Sequence, residues 1–133
     1  MLAVKIWRRE KVDVSNEQSY ALTSSFIQAL RDGDTHLLQA AFGISPAVLE
    51  EMLECLGEFD IALSSVDIAP AATAFTDYRF SHPLMEVYAF EQPYCYGVDC
   101  ILFADGRATE AMLHGEIQVG PEGLRWRYRY IGS

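Results

Sequence analysis

The chain has 133 residues, half of them hydrophobic and 22% charged, with a formal net charge of −9. That length suits one domain over residues 1–133 with a core large enough to fold without disulfides or metal, and the composition excludes a disordered chain. The acidic balance argues against nucleic acid, whose phosphates need lysine and arginine, and no apolar run approaches the roughly 20 residues that cross a bilayer.

The first residues, Met1 to Arg9, are apolar only briefly and place their charges after that run, the reverse of a secretory signal. The expected location is therefore cytoplasmic, where the three cysteines stay reduced. Ser15 with Gln18 predicts a capping box, followed by a helical stripe of Leu22, Phe26, Ile27, Ala29 and Leu30 that stops at Gly33. Asp34 caps a short helix carrying Leu37, Leu38, Ala41 and Phe42, ended by Gly43. Ser45-Pro46 opens a third helix, with Glu50 and Glu51 near its positive end. Its predicted buried side is Val48, Leu49, Met52, Leu53 and Leu56, and Gly57 closes it.

After Gly57 the apolar period changes from helix to strand. Phe59, Ile61 and Leu63 alternate, then Val66 and Ile68 take the other parity, which predicts a strand over 59–68 with a bulge at Ser64-Ser65. A second strand region runs from Tyr78 to Phe90, interrupted at His82-Pro83. Asp105-Gly106 and Gly120–Gly123 are turn signals that divide the last forty residues into a three-strand meander. A tight first turn sets Val98 opposite Leu113 and Cys100 opposite Ala111. The second sets Ile117 opposite Trp126, Gly115 opposite Tyr128 and Leu113 opposite Tyr130. Both place Val98, Cys100, Leu102, Ala111, Leu113, Ile117, Trp126, Tyr128 and Tyr130 on one face against the helices, with Gly115 leaving room for a ring. Cys95 and Cys100 then point to opposite faces and cannot bridge. The expected class is α+β: three N-terminal helices packed on a curved, cone-like antiparallel sheet ending in that meander.

This layout resembles the nuclear-transport-factor-2-like (SnoaL-like) superfamily. The segment Phe26 to Phe42, FIQALRDGDTHLLQAAF, is similar to the Gly-Asp step joining the first two helices of that family, and Trp126, Tyr128 and Tyr130 fit its final aromatic strand. The resemblance implies either an immunity protein that neutralises a polymorphic toxin, or an enzyme or small-ligand binder using the cone interior. It also implies dimerisation through the outer sheet face.

The charged outer face invites a test for chemistry. Asp99, His114 and Arg129 are neighbours there, as are Glu116 and Arg127, but motifless clusters of this kind are usually solvated cross-strand pairs. Arg125, Arg127 and Arg129 serve to protect an edge strand. The tyrosines lack an inward-facing acid to work with. His36 and His82 have no second ligand at metal spacing, so no catalytic residue, cofactor or metal is expected. Ile101, Phe103 and Met112 form an apolar patch on the outer face, an interface unless the segment from Leu2 to Trp7 covers it. The expected function is non-enzymatic binding of a protein partner, an immunity-type inhibitor of a basic toxin domain, through Glu50, Glu51, Glu54, Glu58 and Asp60. The alternatives are a small-molecule site in the cone, or an accessory domain.

Overall fold

The computed structural model describes residues 14–133. Three helices, α1 (Asn16–Arg31), α2 (Thr35–Phe42) and α3 (Pro46–Glu58), precede a strongly curled antiparallel sheet. The strands are β1 (Val66–Asp67), β2 (Tyr78–Arg79), β3 (His82–Pro83), β4 (Met85–Ala89), β5 (Cys95–Ala104), β6 (Arg107–Gly120) and β7 (Gly123–Gly132). The main sheet runs β1-β5-β6-β7, with β4 also on β5, while β2 and β3 form a separate hairpin. Among the described residues no helix is long and apolar enough to cross a membrane.

Each helix begins where a side chain can satisfy its free N–H groups. Ser15 and Gln18 make the reciprocal capping box of α1, Asp34 accepts from Leu37 N–H, and Ser45 accepts from Val48 N–H ahead of Pro46. Such caps stabilise by about 1 kcal/mol each. Gly33 and Gly43, at φ 65° and 66°, let the chain turn out of α1 and α2. Gly57 does not end α3. The helix continues to Glu58, and Asp60 takes the left-handed conformation at φ 57°.

That exit removes the strand expected over 59–68. The chain leaves α3 through a turn in which Ile61 N–H donates to Leu56 O, then forms a 3-10 turn at Leu63–Ser65. Only Val66 and Asp67 pair, with Ala104 and Phe103. The alternation here comes from a helix exit that buries Ile61 and half-buries Phe59, followed by a tight turn in which Leu63 is only half-buried. The break in the Tyr78–Phe90 region falls at Phe80-Ser81, the tip of the β2–β3 hairpin, because His82 and Pro83 are themselves paired.

The meander has the expected turns and a bulge in each ladder. Near the first turn Ala104 opposes Arg107, but beyond Ile101 the pairing moves by two, so Cys100 opposes Leu113 and Val98 opposes Gly115. Thr109 accommodates the extra residues: its hydroxyl donates to Leu102 O at 2.7 Å and accepts from Ala111 N–H at 3.1 Å. Arg79 reaches across from β2 to the carbonyls of Ala108 and Thr109, at 2.8 and 2.7 Å. A shift of two preserves side-chain parity, so the inner face survives the wrong register. In the β6–β7 ladder Ile117 opposes Trp126 and Gly115 opposes Tyr128 as expected. Then Arg129 and Tyr130 form a bulge, and His114 opposes Tyr130 rather than Arg129, while Leu113 opposes Ile131 rather than Tyr130. The bulge sends Tyr130 outward and brings Ile131 into the core.

Trp126 lies at the centre of the core. It is 1% exposed, stacks on Phe26 with ring centroids 4.3 Å apart, and donates its Nε1–H to Thr23 Oγ1 at 3.1 Å. Gly115 makes room for a ring, but the ring is that of Trp126: a Cβ at Gly115 would meet Trp126 Cζ2 at 2.4 Å. Phe42 closes the cluster edge-on to Phe26.

Candidate functional site

The space between helices and sheet, where a small-molecule site would need an open cavity, is occupied by Trp126, Phe26 and Phe42. The buried polar side chains among the described residues are Ser19 and Thr23, neither an acid nor a histidine. Two surface regions remain as candidates.

The first is the solvent side of α2 and α3. Glu50, Glu51, Glu54, Glu58 and Asp60 are all exposed. At 3.6 residues per turn the four glutamates fall within an arc of about 100°. None of the five is in an ion pair among the described residues. The pairs Glu50–Glu54, Glu51–Glu54 and Glu54–Glu58 repel at helical spacing, each costing about 0.2–0.5 kcal/mol. The first turn of α3 contains no acid, so Glu50 and Glu51 sit past the reach of the helix dipole that was expected to favour them. Their negative potential is felt nearby: burial, then the carboxylates of Glu58, Glu51 and Glu54, raise the pKa of the half-buried Cys55 thiol.

Beside these acids runs an apolar groove of about 250 Å³ between α2 and α3, with Leu38, Ile44, Pro46, Leu49 and Leu53 on its walls and Glu50 at its rim. Leu53 is 40% exposed here, so it belongs to the groove and not to the buried side of α3. Leu37, on α2, is similarly exposed. The signal that marks this region was present in the chain as a charge bias. From Asp32 through Asp77 there are nine acidic residues and no lysine or arginine.

The second region is a polar row across the outer sheet face. Glu86, Asp99, His114 and Tyr130 are successive register partners on β4, β5, β6 and β7. His114 Nδ1 donates to Asp99 Oδ1 at 2.8 Å, and Tyr88 O–H donates to the same oxygen at 3.2 Å. Tyr130 stacks on the His114 ring, 4.2 Å between centroids. Gly97 makes room for the Tyr88 ring, since a Cβ there would meet Tyr88 Cζ at 2.3 Å. Burial and the Asp99 carboxylate hold the Tyr88 phenol above its ordinary pKa. Arg129, placed beside His114 by the sequence, instead lies over the Phe90 ring at 5.5 Å.

His82 does not stand alone. A bend between β3 and β4 brings its Nε2 to 3.5 Å from Glu86 Oε1, and Asp99 joins them. Four residues along a straight strand would separate these groups by about 13 Å, so the grouping depends on the bend at Leu84, just after the His82-Pro83 step that interrupts the strand pattern in the sequence. The expected outer apolar patch is also altered. Ile101 is 4% exposed and part of the core, its N–H bonded to Leu84 O, while Phe103 and Met112 are half-buried. The segment from Leu2 to Trp7, considered as its cover, lies outside the described residues. Tyr78, weighed with the other tyrosines as a core residue, is exposed on the β2–β3 hairpin beside the exposed Phe80, which the sequence did not single out, with Arg79 over the Phe80 ring.

Comparison with protein-family models, with curated proteins and with solved structures finds no match for this chain.

Proposed function

We propose that this domain is a non-enzymatic binder of a basic protein, an immunity-type inhibitor within the nuclear-transport-factor-2-like superfamily that engages a toxin domain through α2 and α3. One observation carries the reading. The α3 carboxylates are unpaired among the described residues, repel one another, and border an apolar groove. An arrangement that costs helix stability and leaves leucine exposed suits a lysine- or arginine-rich surface bearing an apolar anchor. The acids accelerate encounter and the groove slows release. The filled core weighs against the alternative of a small-molecule enzyme.

The test is calorimetry of the purified chain against basic toxin domains, any encoded beside its own gene being taken first. Association should weaken at least tenfold between about 0.05 and 0.5 M salt, as screening requires, and a Glu50/Glu51/Glu54→Gln variant should weaken it at low salt. Absence of association, or affinity indifferent to both changes, contradicts the reading.

A further inference from the structure

We propose that His82, Glu86 and Asp99 form a binding site for a divalent first-row transition metal ion of the zinc class. One imidazole nitrogen and two carboxylates offer ligand atoms that all lie within 4.8 Å of one another. Ligands on one zinc ion at about 2.0–2.2 Å are separated by roughly 3.4 Å along a tetrahedral edge. The His82 Nε2 to Glu86 Oε1 distance is 3.5 Å. The separations, none above 4.8 Å, must close by up to about 1.4 Å to reach that edge, and the Glu86 side chain, 48% exposed, has the rotamer freedom to move by that much.

Two further features point to a cation. Glu86 and Asp99 are directly opposed in the β4–β5 ladder, a placement that like charges disfavour. The His82 ring has an oxygen acceptor at each nitrogen, Pro83 O at Nδ1 and Glu86 Oε1 at Nε2. A neutral imidazole has one proton for the two. With Nδ1–H donated to the backbone carbonyl, the Nε2 lone pair faces a carboxylate oxygen, and a metal ion between them removes that repulsion. A backbone carbonyl on the second ring nitrogen is the usual support for a metal-bound histidine.

Asp99 is held in the same manner. His114 and Tyr88 both donate to its Oδ1, which fixes the carboxylate and leaves lone-pair capacity for an ion. The mixed donor set favours a borderline ion such as Zn²⁺ over Mg²⁺ or Ca²⁺, which prefer oxygen alone. Three protein ligands on a partly exposed face leave further positions to water or to a partner's side chain.

The experiment is titration of the metal-stripped full chain with ZnCl₂ by calorimetry, with MgCl₂ and CaCl₂ in parallel. One saturable Zn²⁺ per chain is expected, with much weaker Mg²⁺ and Ca²⁺. The Glu86→Gln and His82→Ala variants should each weaken Zn²⁺ at least about tenfold. Circular dichroism should show both folded, because both side chains are partly exposed. Should His82→Ala fold poorly, the better exposed Glu86→Gln decides alone. Three results would overturn the proposal. One is no saturable Zn²⁺, which leaves the His82–Glu86 contact as a surface pair only. Another is Zn²⁺ affinity unchanged in the folded variant or variants, which puts the ion elsewhere. The last is Mg²⁺ binding equal to Zn²⁺.

Discussion

The solvent face of α3 and the outer face of the sheet are both rich in carboxylates, yet they treat them in opposite ways. On the sheet, Asp99 accepts from His114 and Tyr88, Glu86 sits against His82, and Glu116 is the register partner of Arg127. On α3, the glutamates form no ion pair among the described residues. The arginines follow the same division. Among the described residues all but Arg31 fall from Arg79 onward, and Arg31 is engaged with Asp67 and the Val66 carbonyl. Acids matched within the chain organise local structure. Acids left unmatched are free to attract something outside it, and the two sets are told apart by partners, not by charge.

The contrast gives a graded series of expected effects. Asp99→Ala should be the most costly, because it strips the acceptor from His114 Nδ1–H and Tyr88 O–H in a part-buried site. A loss of about 1–3 kcal/mol in denaturant unfolding is expected. Gly97→Ala should cost about 1 kcal/mol: the new Cβ displaces the Tyr88 ring and breaks its bond to Asp99. The effect is limited because a partly exposed ring can swing aside. On α3 the sign should reverse. Glu54→Gln removes one member of three repelling pairs and should leave stability unchanged or raise it by up to about 0.5 kcal/mol. A clear loss there would mean that these acids do have partners within the chain.

The last effect, confined to alkaline pH, concerns Tyr128 in β7. Burial, with Cys55 and Glu51 adding to it, pushes its phenol up to about 12 from 10.0. A phenol kept protonated by the fold contributes stability that is fully present below pH 10 and is lost as pH rises towards about 12, since the unfolded chain ionises first. Unfolding followed from pH 9 to 12 should show a shallower decline in Tyr128→Phe than in the parent.

Much of this fold is legible in local chemistry. Ser15, Asp34 and Ser45 announce three helix starts, and Asp105-Gly106 fixes a hairpin. These are short-range signals, acting over two to four residues. The inner face was also recoverable, because the first bulge shifts the ladder by an even number. What failed was non-local. The one-residue bulge at Arg129-Tyr130 inverted Tyr130 and broke the expected His114–Arg129 contact. The Phe59–Leu63 alternation, taken for a strand, was a helix exit. The grouping of His82 with Glu86 and Asp99 depends on a bend between strands that share no contiguous motif. The α3 acids were legible individually; that none of them is in an ion pair among the described residues could be seen only once Arg31 and the sheet arginines had been placed.

Hydrogen exchange of the chain with and without a basic toxin domain that it binds tests the division of the two faces most directly. Binding through unmatched acids predicts added protection across α2 and α3, from Thr35 to Glu58, with β4 to β6 unchanged. Protection confined to the outer sheet face, or none anywhere, would contradict it.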